Sequence, residues 1–128
     1  MVNMSNNSLR VLAVDDDMIN RKLIKSMLTK ADNVSEVIEA VNGMDALDIL
    51  KKDTNIDIIL LDIIMPIMGG IDFLKVARAD DHMKGIPVIV LTTDETIRAE
   101  ALNEGANDFL TKPIREKDII SKISQLIL

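Results

Sequence analysis

The sequence predicts an α/β fold in which five parallel strands alternate with five helices in a doubly wound (βα)5 arrangement. The first observation behind this prediction is that short, continuous apolar runs recur along the chain, as in strands that are buried on both faces. The second is that longer segments with apolar residues at helical spacing lie between them. The third is that the connections are short. Such alternation is typical of a parallel sheet covered by helices on both faces.

The first half of the chain contains two strand patterns and two helix patterns. "VLAVD" (11–15) is a buried strand pattern, and the segment 20–30 carries a helical stripe of apolar residues. "EVIEAV" (36–41) nearly alternates between apolar and polar residues, which is typical of an edge strand. Asn42-Gly43 is a turn signal, and "MDALDILKK" (44–52) has a helical pattern.

The central part repeats this order twice. "DIILLD" (57–62) is a buried strand pattern, the loop "MPIMGG" (65–70) follows, and "IDFLKVAR" (71–78) has a helical pattern. "PVIVLT" (87–92) is the next buried strand pattern. The helix pattern after it, "ETIRAEALNEG" (95–105), ends at a glycine, which is a common residue just after a helix.

The last strand and helix complete the fivefold alternation. "DFLTK" (108–112) is a short strand pattern, and the apolar residues after it have the spacing of an amphipathic helix: Ile119, Ile120, Ile123, Leu126 and Ile127. No linker, repeat or low-complexity segment divides the chain. We therefore expect one domain over residues 9–128, preceded by a disordered N-terminus at residues 1–8 and followed by no output domain.

Composition excludes several kinds of protein. The chain has 128 residues, a formal charge of −6, no Cys and only 2% aromatic residues. The acidic balance argues against a nucleic-acid surface, and the absence of Cys excludes disulfides and thiolate chemistry. No apolar run approaches the roughly 20 residues of a membrane span, and the first residues do not resemble a signal peptide. We expect a cytoplasmic protein whose core consists of Ile, Leu, Val and Ala, with Met as filler.

Polar side chains stand where four of the predicted strands end. Asp15 and Asp16 end the first strand, Asp62 the third, Thr92 the fourth and Lys112 the fifth. In an open parallel sheet, sites form outside the carboxyl ends of the strands. We therefore expect these five side chains to meet at one edge of the sheet.

The chemistry of this set indicates a magnesium-dependent phosphoryl site. Crowded carboxylates need an offsetting charge, and Mg²⁺ prefers one or two carboxylates together with waters and a phosphate oxygen. Asp62 can then act as a nucleophile, because carboxylates form acyl phosphates. The Thr92 hydroxyl and the Lys112 ammonium can donate hydrogen bonds to phosphoryl oxygens. Asp17, the third member of the acidic run, can instead be only a helix cap.

Four motifs resemble the receiver domains of two-component response regulators. They are "VDDD", "LLDIIMPIMGG", "VIVLTT" and "DFLTKP", which occur in the order and with the spacing of that family. The resemblance covers residues 9–128. It implies a flavodoxin-like receiver fold with the strand order 2-1-3-4-5.

The resemblance also implies a role for each matching residue. Asp62 resembles the phosphoacceptor, and Asp15, Asp16 and Asp62 resemble the Mg²⁺ ligands, together with the backbone carbonyl of Ile64. Thr92 and Lys112 would bind the phosphoryl group. Thr92 and Phe109 would form the switch, in which the aromatic ring rotates inward on activation. Lys112-Pro113 matches a pair that is usually joined by a cis peptide bond, which proline makes accessible.

Two other functional classes fit part of the sequence. "VLAVDDD" also resembles the nucleophile motif of haloacid-dehalogenase phosphohydrolases, but no acidic motif follows Lys112. A flavodoxin-like FMN binder would need a Ser/Thr-rich loop after the first strand and aromatic residues for the flavin, whereas here the loop is acidic and Tyr and Trp are absent. Steady turnover of a phosphate ester would support the first alternative, and yellow colour on purification the second.

The favoured hypothesis is a single-domain response regulator that stands alone. A chemotaxis-like messenger, a phosphorelay shuttle and a receiver cut from a longer protein all fit the sequence. The protein would accept a phosphoryl group on Asp62 from a histidine kinase or a histidine phosphotransfer protein, with Mg²⁺ as cofactor. It would catalyse its own phosphorylation and dephosphorylation but turn over no other substrate. Its output would be a conformational change on the face formed by the fourth helix, fifth strand and fifth helix. That face would be recognised by an unknown downstream protein, with no nucleic acid or membrane involved.

Overall fold

The structure is a computed structural model that describes residues 8–127. Strands and helices alternate along this whole range. The strands are β1 (Leu9–Val14), β2 (Val34–Ala40), β3 (Ile58–Asp62), β4 (Val88–Thr92) and β5 (Asp108–Thr111). The helices are α1 (Met18–Thr29), α2 (Gly43–Lys52), α3 (Gly70–Ala79), α4 (Arg98–Asn103) and α5 (Glu116–Ile127). The disorder expected at the N-terminus concerns residues that, except for Ser8, lie outside the described range.

The five strands form one parallel sheet in the order β2-β1-β3-β4-β5. This confirms the predicted fold and strand order, and it confirms β2 as an edge strand. The order reverses between β1 and β3, because the chain first adds a strand on one side of β1 and then continues on the other. A crevice outside the carboxyl ends of the strands is expected at such a reversal.

A hydrophobic cluster covers each face of the sheet, so that the central strands are buried on both sides. Leu12 and Val14 of β1 belong to the cluster on one face, and Val11 and Ala13 to the cluster on the other. This explains why the strand segments have continuous apolar runs instead of alternating with polar residues.

The core consists mainly of Ile, Leu, Val and Ala as predicted, although both Phe residues, Phe73 and Phe109, are also buried in it. The prediction that Met acts as core filler is only partly right. Met83 is buried, whereas Met18 and Met44 are exposed.

The α4 region differs from the sequence prediction of one helix over residues 95–105. A 3₁₀ turn at Glu95–Ile97 precedes a short α4 that ends at Asn103. The Asp94 side chain is the N-cap of this turn and accepts a hydrogen bond from the Thr96 amide (2.9 Å). Gly105 has a φ of 112° and therefore terminates the segment as expected.

Asn42 does more than form a turn. Its side-chain oxygen accepts a hydrogen bond from the Asp45 amide (2.8 Å), so Asn42 is the N-cap of α2. The Asp45 carboxylate in return accepts a bond from the Val41 amide (2.9 Å). These two bonds fix the start of α2 beside the edge of the sheet.

None of the helices within residues 8–127 is long and apolar enough to cross a membrane.

Candidate functional site

The polar residues singled out in the sequence stand at the carboxyl ends of the strands. Asp15 directly follows β1, Asp62 is the last residue of β3, Thr92 is the last residue of β4 and Lys112 directly follows β5. In the strand register Asp62 lies opposite Leu91, and Thr92 lies opposite Thr111. The parallel sheet therefore brings these side chains to one edge.

Three carboxylates form a cluster that could hold a metal ion. Asp15, Asp16 and Asp62 each offer an oxygen within 4.8 Å of the others. Asp15 and Asp62 are buried, whereas Asp16 is exposed. Oxygen donors of this kind suit a hard cation such as Mg²⁺, with the exposed side of the cluster left for waters. The residues present thus fit the metal that the sequence predicted.

Lys112 joins the two buried carboxylates. Its Nζ lies 3.0 Å from Asp15 Oδ2 and 3.5 Å from Asp62 Oδ2. The Lys112 amide donates a hydrogen bond to the Thr92 carbonyl (2.8 Å), which ties the end of β5 to that of β4. The Lys112–Pro113 peptide bond is cis, the isomer that the resemblance implied. The ammonium can thus offset part of the negative charge at the edge.

The pKa of the Asp62 carboxyl is raised above its ordinary value, chiefly because burial disfavours the charged form. The charge of Lys112 opposes this rise, and the charge of Asp15 adds to it. Like-charge repulsion from Asp15 acts in the same direction as burial, but desolvation is the larger cause of the raised pKa. Burial of the carboxylate is not visible in the sequence.

Asp15 is held from three sides. The Asp17 amide donates to Asp15 Oδ1 (2.9 Å), Lys112 donates to Asp15 Oδ2 (3.0 Å), and Arg21 Nη1 donates to the Asp15 carbonyl (2.8 Å). Arg21 also pairs with Glu39 of β2 (2.9 Å). The sequence predicted no role for Arg21 or Glu39. The available signal was that Arg21 is the first basic residue after the acidic run, four positions beyond Asp17.

Asp17 does not belong to the carboxylate cluster. It is the N-cap of α1, and its Oδ1 accepts a hydrogen bond from the Ile19 amide (2.9 Å). The cap interpretation of Asp17 is therefore correct. His82, the only histidine, is exposed in the α3–β4 connection, away from the carboxyl ends of the strands.

Thr92 and Phe109 lie on neighbouring strands, and both are buried. Thr92 Oγ1 accepts a hydrogen bond from the Asp94 amide (3.3 Å). Phe109 is only 7% exposed and packs in the core cluster, with the Arg98 guanidinium 5.8 Å from its ring centroid. The ring thus already occupies an inward position. The inward rotation expected from the resemblance stays a prediction about another state of the protein.

Ile64 follows Asp62 by two residues, and its side chain is 72% exposed. The role expected for Ile64 depends on its backbone carbonyl and not on this side chain. The loop that contains Ile64 returns to the strand end, because the Gly70 amide donates to the Ile63 carbonyl (2.8 Å). The loop is therefore fixed next to the carboxylate cluster.

Comparison with known proteins gives one consistent family. The model of the response regulator receiver domain matches residues 11–124. The two-component response regulator ORR3 of Oryza sativa is 34% identical over 120 residues, which cover 92% of this chain and 90% of that protein. The chemotaxis protein CheY homolog of Campylobacter jejuni is 32% identical over 122 residues, which cover 93% and 92%.

A solved structure agrees with these relatives. The chemotaxis protein CheY4 of Vibrio cholerae superposes with a TM-score of 0.83 at 32% identity, and the match covers 94% of this chain and 98% of that one. These relatives give no support to the phosphohydrolase alternative. The family match, the strand order and the residues at the strand ends all lead to the same conclusion. The chain belongs to the response regulator receiver domain family of two-component systems.

Proposed function

We propose that Asp62 accepts a phosphoryl group from a phosphohistidine on a histidine kinase or histidine phosphotransfer protein, in a Mg²⁺-dependent reaction. The observation that carries this proposal is the buried pair of Asp15 and Asp62 with Lys112 between them at the sheet edge. In a receiver domain, this arrangement leaves a carboxylate oxygen of Asp62 as the acceptor and supplies a cation beside it.

The transfer exchanges one bond to phosphorus for another. An oxygen of Asp62 attacks the phosphorus atom, and the bond from phosphorus to the imidazole nitrogen of the donor breaks. That nitrogen keeps the electron pair and leaves, and Asp62 becomes an acyl phosphate. Lys112 and the Thr92 hydroxyl would donate hydrogen bonds to the phosphoryl oxygens.

The metal would be held by Asp15, Asp16, Asp62 and the backbone carbonyl of Ile64. When bound, Mg²⁺ neutralises charge that develops on the transferred group. Asp16 is exposed and its oxygen lies with those of the two buried carboxylates, so it can reach a cation that keeps several waters.

The output would arise on the face formed by α4, β5 and α5. A phosphoryl group adds roughly −1.5 to −2 of charge, and the Thr92 hydroxyl can turn towards it. Thr92 and Phe109 lie on paired strands, so a movement of one can reach the other by direct contact. A downstream protein that binds this face better in one of the two conformations shifts the equilibrium between them by the difference between its two affinities. We propose a cytoplasmic site of action, with no nucleic acid or membrane as partner.

Acetyl phosphate tests the acceptor assignment without any protein donor. With Mg²⁺ present, intact-mass spectra taken within seconds should show one added phosphoryl group on the unsubstituted chain. Asp62→Asn keeps the shape but removes the reactive oxygen, so it should show none. Asp81→Asn, an exposed aspartate in the α3–β4 connection, is the matched control and should be labelled normally. Label that persists in Asp62→Asn would contradict the assignment.

A further inference from the structure

Arg21 reaches the carboxylate cluster through a backbone carbonyl. Its Nη1 donates a hydrogen bond to the carbonyl of Asp15 (2.8 Å), and its Nε donates to Glu39 Oε1 (2.9 Å). Glu39 belongs to β2 and lies opposite Ala13 of β1 in the strand register. The Arg21 side chain is only 12% exposed. The guanidinium is therefore a fixed bridge from β2 to the residue that follows β1.

The carbonyl that Arg21 binds belongs to the peptide unit between two of the predicted metal ligands. The Asp15 amide donates to the Ala40 carbonyl (3.1 Å), just beyond the paired residues of β1 and β2, and the chain then leaves the sheet. The Asp15 carbonyl and the Asp16 amide lie in one plane, because the peptide bond does not rotate freely. A hydrogen bond that fixes this carbonyl therefore also fixes the direction in which the chain continues to the Asp16 Cα.

The position of Asp16 depends on this peptide unit more than that of Asp15 does. The Asp15 carboxylate has partners of its own, the Asp17 amide and Lys112. The Asp16 side chain is exposed, and in the described part of the chain no hydrogen bond or ion pair holds its carboxylate. One of its oxygens nevertheless lies within 4.8 Å of oxygens of Asp15 and Asp62. The backbone before Asp16 must therefore determine where this oxygen lies.

The charge of Arg21 does not explain why it lies here. A cation beside a metal site repels the metal ion and works against its binding. Glu39 offsets that charge at 2.9 Å, and Lys25 Nζ lies 3.9 Å from the other Glu39 oxygen. Arg21 and Glu39 together thus add no net charge next to the carboxylates. The pair supplies a fixed direction for the Nη1 hydrogen bond, because the guanidinium is a rigid planar fork.

We propose that Arg21, held by Glu39, is a positioning residue for the metal ion. By fixing the peptide unit between Asp15 and Asp16, it places the Asp16 carboxylate next to the two buried carboxylates before the ion binds. Removal of a group that orients metal ligands commonly weakens metal affinity by roughly 10–100-fold. This inference rests on the proposed function and adds to it the side chain that prepares the metal site.

Titration with Mg²⁺ alone, without a phosphodonor, tests the proposal. Amide shifts in NMR from the loop after β1 give the dissociation constant of the ion. Arg21→Met keeps a long side chain but donates no hydrogen bond, so the dissociation constant should rise about tenfold. An effect of charge alone has the opposite sign, because the loss of a nearby cation tightens Mg²⁺ binding. Unchanged or tighter binding in Arg21→Met would overturn the proposal.

Two further variants separate geometry from charge. Arg21→Met combined with Glu39→Gln removes one charge of each sign, and this double variant should still bind Mg²⁺ about tenfold more weakly than the unsubstituted chain. Arg21→Lys keeps the charge and a donor, but one ammonium cannot reproduce the fork to both partners. Its dissociation constant should lie between those of the unsubstituted chain and Arg21→Met. Normal affinity in the double variant would overturn the proposal, as would a Lys variant that binds no better than Arg21→Met.

Arg10→Met is the matched control for a general loss of stability. Arg10 also bridges β1 to a glutamate of β2, since its Nε lies 3.0 Å from Glu36 Oε1, but at the opposite end of the sheet. Its replacement should lower the urea midpoint and leave the Mg²⁺ dissociation constant unchanged. A similar loss of Mg²⁺ affinity in Arg10→Met and Arg21→Met would overturn the proposal, because the effect would then come from loosening of the sheet.

Labelling by acetyl phosphate separates a displaced metal ligand from a damaged acceptor. In Arg21→Met, the Mg²⁺ concentration that gives half the maximal labelling rate should rise, while the rate at saturating Mg²⁺ should stay within about twofold, because Asp62 and Lys112 are unchanged. A loss confined to the rate at saturating Mg²⁺ would overturn the proposal.

The Mg²⁺ titration also separates this inference from the proposed function. If the unsubstituted chain binds Mg²⁺ and Arg21→Met binds it equally well, the positioning role alone is overturned. If the unsubstituted chain binds no Mg²⁺, the metal dependence of the proposed function fails and the positioning role fails with it.

Discussion

Lys112 shows how one residue can reconcile a buried acidic site with a stable fold. Two buried carboxylates repel each other at short range, and burial disfavours the charged form of Asp62. The Lys112 ammonium lies within 3.5 Å of both carboxylates. Without any metal ion, the chain thus has a positive charge of its own between them. The pKa of Asp62 nevertheless stays raised, chiefly because the carboxyl is buried, so Lys112 does not fully offset the effect of burial.

Arg10 forms a second cluster of charged side chains, at the end of the sheet opposite the carboxylate cluster. Its Nη1 lies 2.7 Å from Asp53 Oδ1, and its Nε lies 3.0 Å from Glu36 Oε1. The hydrogen bond from Arg10 holds the pKa of Asp53 below its ordinary value, and the Asn55 amide adds to this effect. A carboxyl whose pKa is lower in the folded state stabilises the fold at a pH above its unfolded value. That contribution is lost as the pH falls through the folded value.

We therefore predict a pH-dependent effect of Asp53→Asn. At pH 7 the urea midpoint, followed by far-UV circular dichroism, should be lower than that of the unsubstituted chain. The difference should shrink as the pH falls from the ordinary Asp value through the lower value in the folded state, because Asp53 of the unsubstituted chain also becomes protonated over this range. Asp81→Asn removes an exposed pair with Lys84 and should change the midpoint little at either pH. Equal midpoints for Asp53→Asn and the unsubstituted chain at pH 7 would contradict this prediction.

At the scale of elements, the β3–α3 loop positions the acceptor by close backbone packing. A Cβ added at Gly70 would lie 2.5 Å from the Asp62 carbonyl oxygen and 2.9 Å from the Ile63 Cα. Both atoms belong to the backbone at the end of β3, so no side-chain rotation can relieve the contact. The start of α3 is therefore a direct determinant of where Asp62 lies.

Gly70→Ala should accordingly affect both stability and chemistry. We expect a loss of about 1–3 kcal/mol in the free energy of unfolding, the usual range for overpacking, and slower labelling of Asp62 by acetyl phosphate. Urea titration and intact-mass time courses measure the two effects. Gly85→Ala is the matched control, since no atom lies within 4 Å of the added Cβ. Normal stability and labelling in Gly70→Ala would contradict this prediction, because the backbone would then have moved to accept the added Cβ at little cost.

The strands could be predicted because burial on both faces requires continuous apolar runs, and the site residues because parallel strands end at one edge. The 3₁₀ turn at Glu95–Ile97 could not be predicted from periodicity, because three residues are too few for apolar spacing to distinguish a 3₁₀ turn from the first turn of an α-helix. The bond from Arg21 to Asp15 joins a helix to a strand end, and the apolar spacing used to place helices carries no information about it.

At the scale of the whole molecule, metal binding should stabilise the fold, because a ligand that binds only the folded state shifts unfolding by mass action. At a Mg²⁺ concentration ten times the dissociation constant, the gain should be about 1.4 kcal/mol. A thermal melt in millimolar Mg²⁺, compared with one in chelator, measures it. Asp16→Ala should weaken the dependence, while Asp81→Ala should keep it. A melting midpoint of the unsubstituted chain that does not respond to Mg²⁺ would count against the metal site.

The buried position of Phe109 narrows what the output can be. Phe109 is only 7% exposed. Phosphorylation could therefore turn its ring further inward by only a small amount. The movable parts next to it are the 3₁₀ turn at Glu95–Ile97, which is mostly exposed, and Arg98, which lies over the ring. If the Thr92 hydroxyl turned towards the phosphoryl group, its hydrogen bond with the Asp94 amide would also be disturbed. Asp94 directly precedes the 3₁₀ turn.

We therefore predict that activation rearranges the segment 93–98 together with Phe109. Beryllofluoride mimics the acyl phosphate, and titration with it in the presence of Mg²⁺ can be followed by amide shifts in NMR. The shifts should extend from Asp62 through Thr92 to the 3₁₀ turn, α4 and Phe109. In Thr92→Ala the shifts around Asp62 should persist, while those beyond β4 should diminish, because the hydroxyl that couples the two regions is absent. Shifts confined to the loops after β1, β3 and β5 in the unsubstituted chain would contradict this prediction. Phosphorylation would then not change the face formed by α4, β5 and α5, and the domain would act as a phosphoryl carrier.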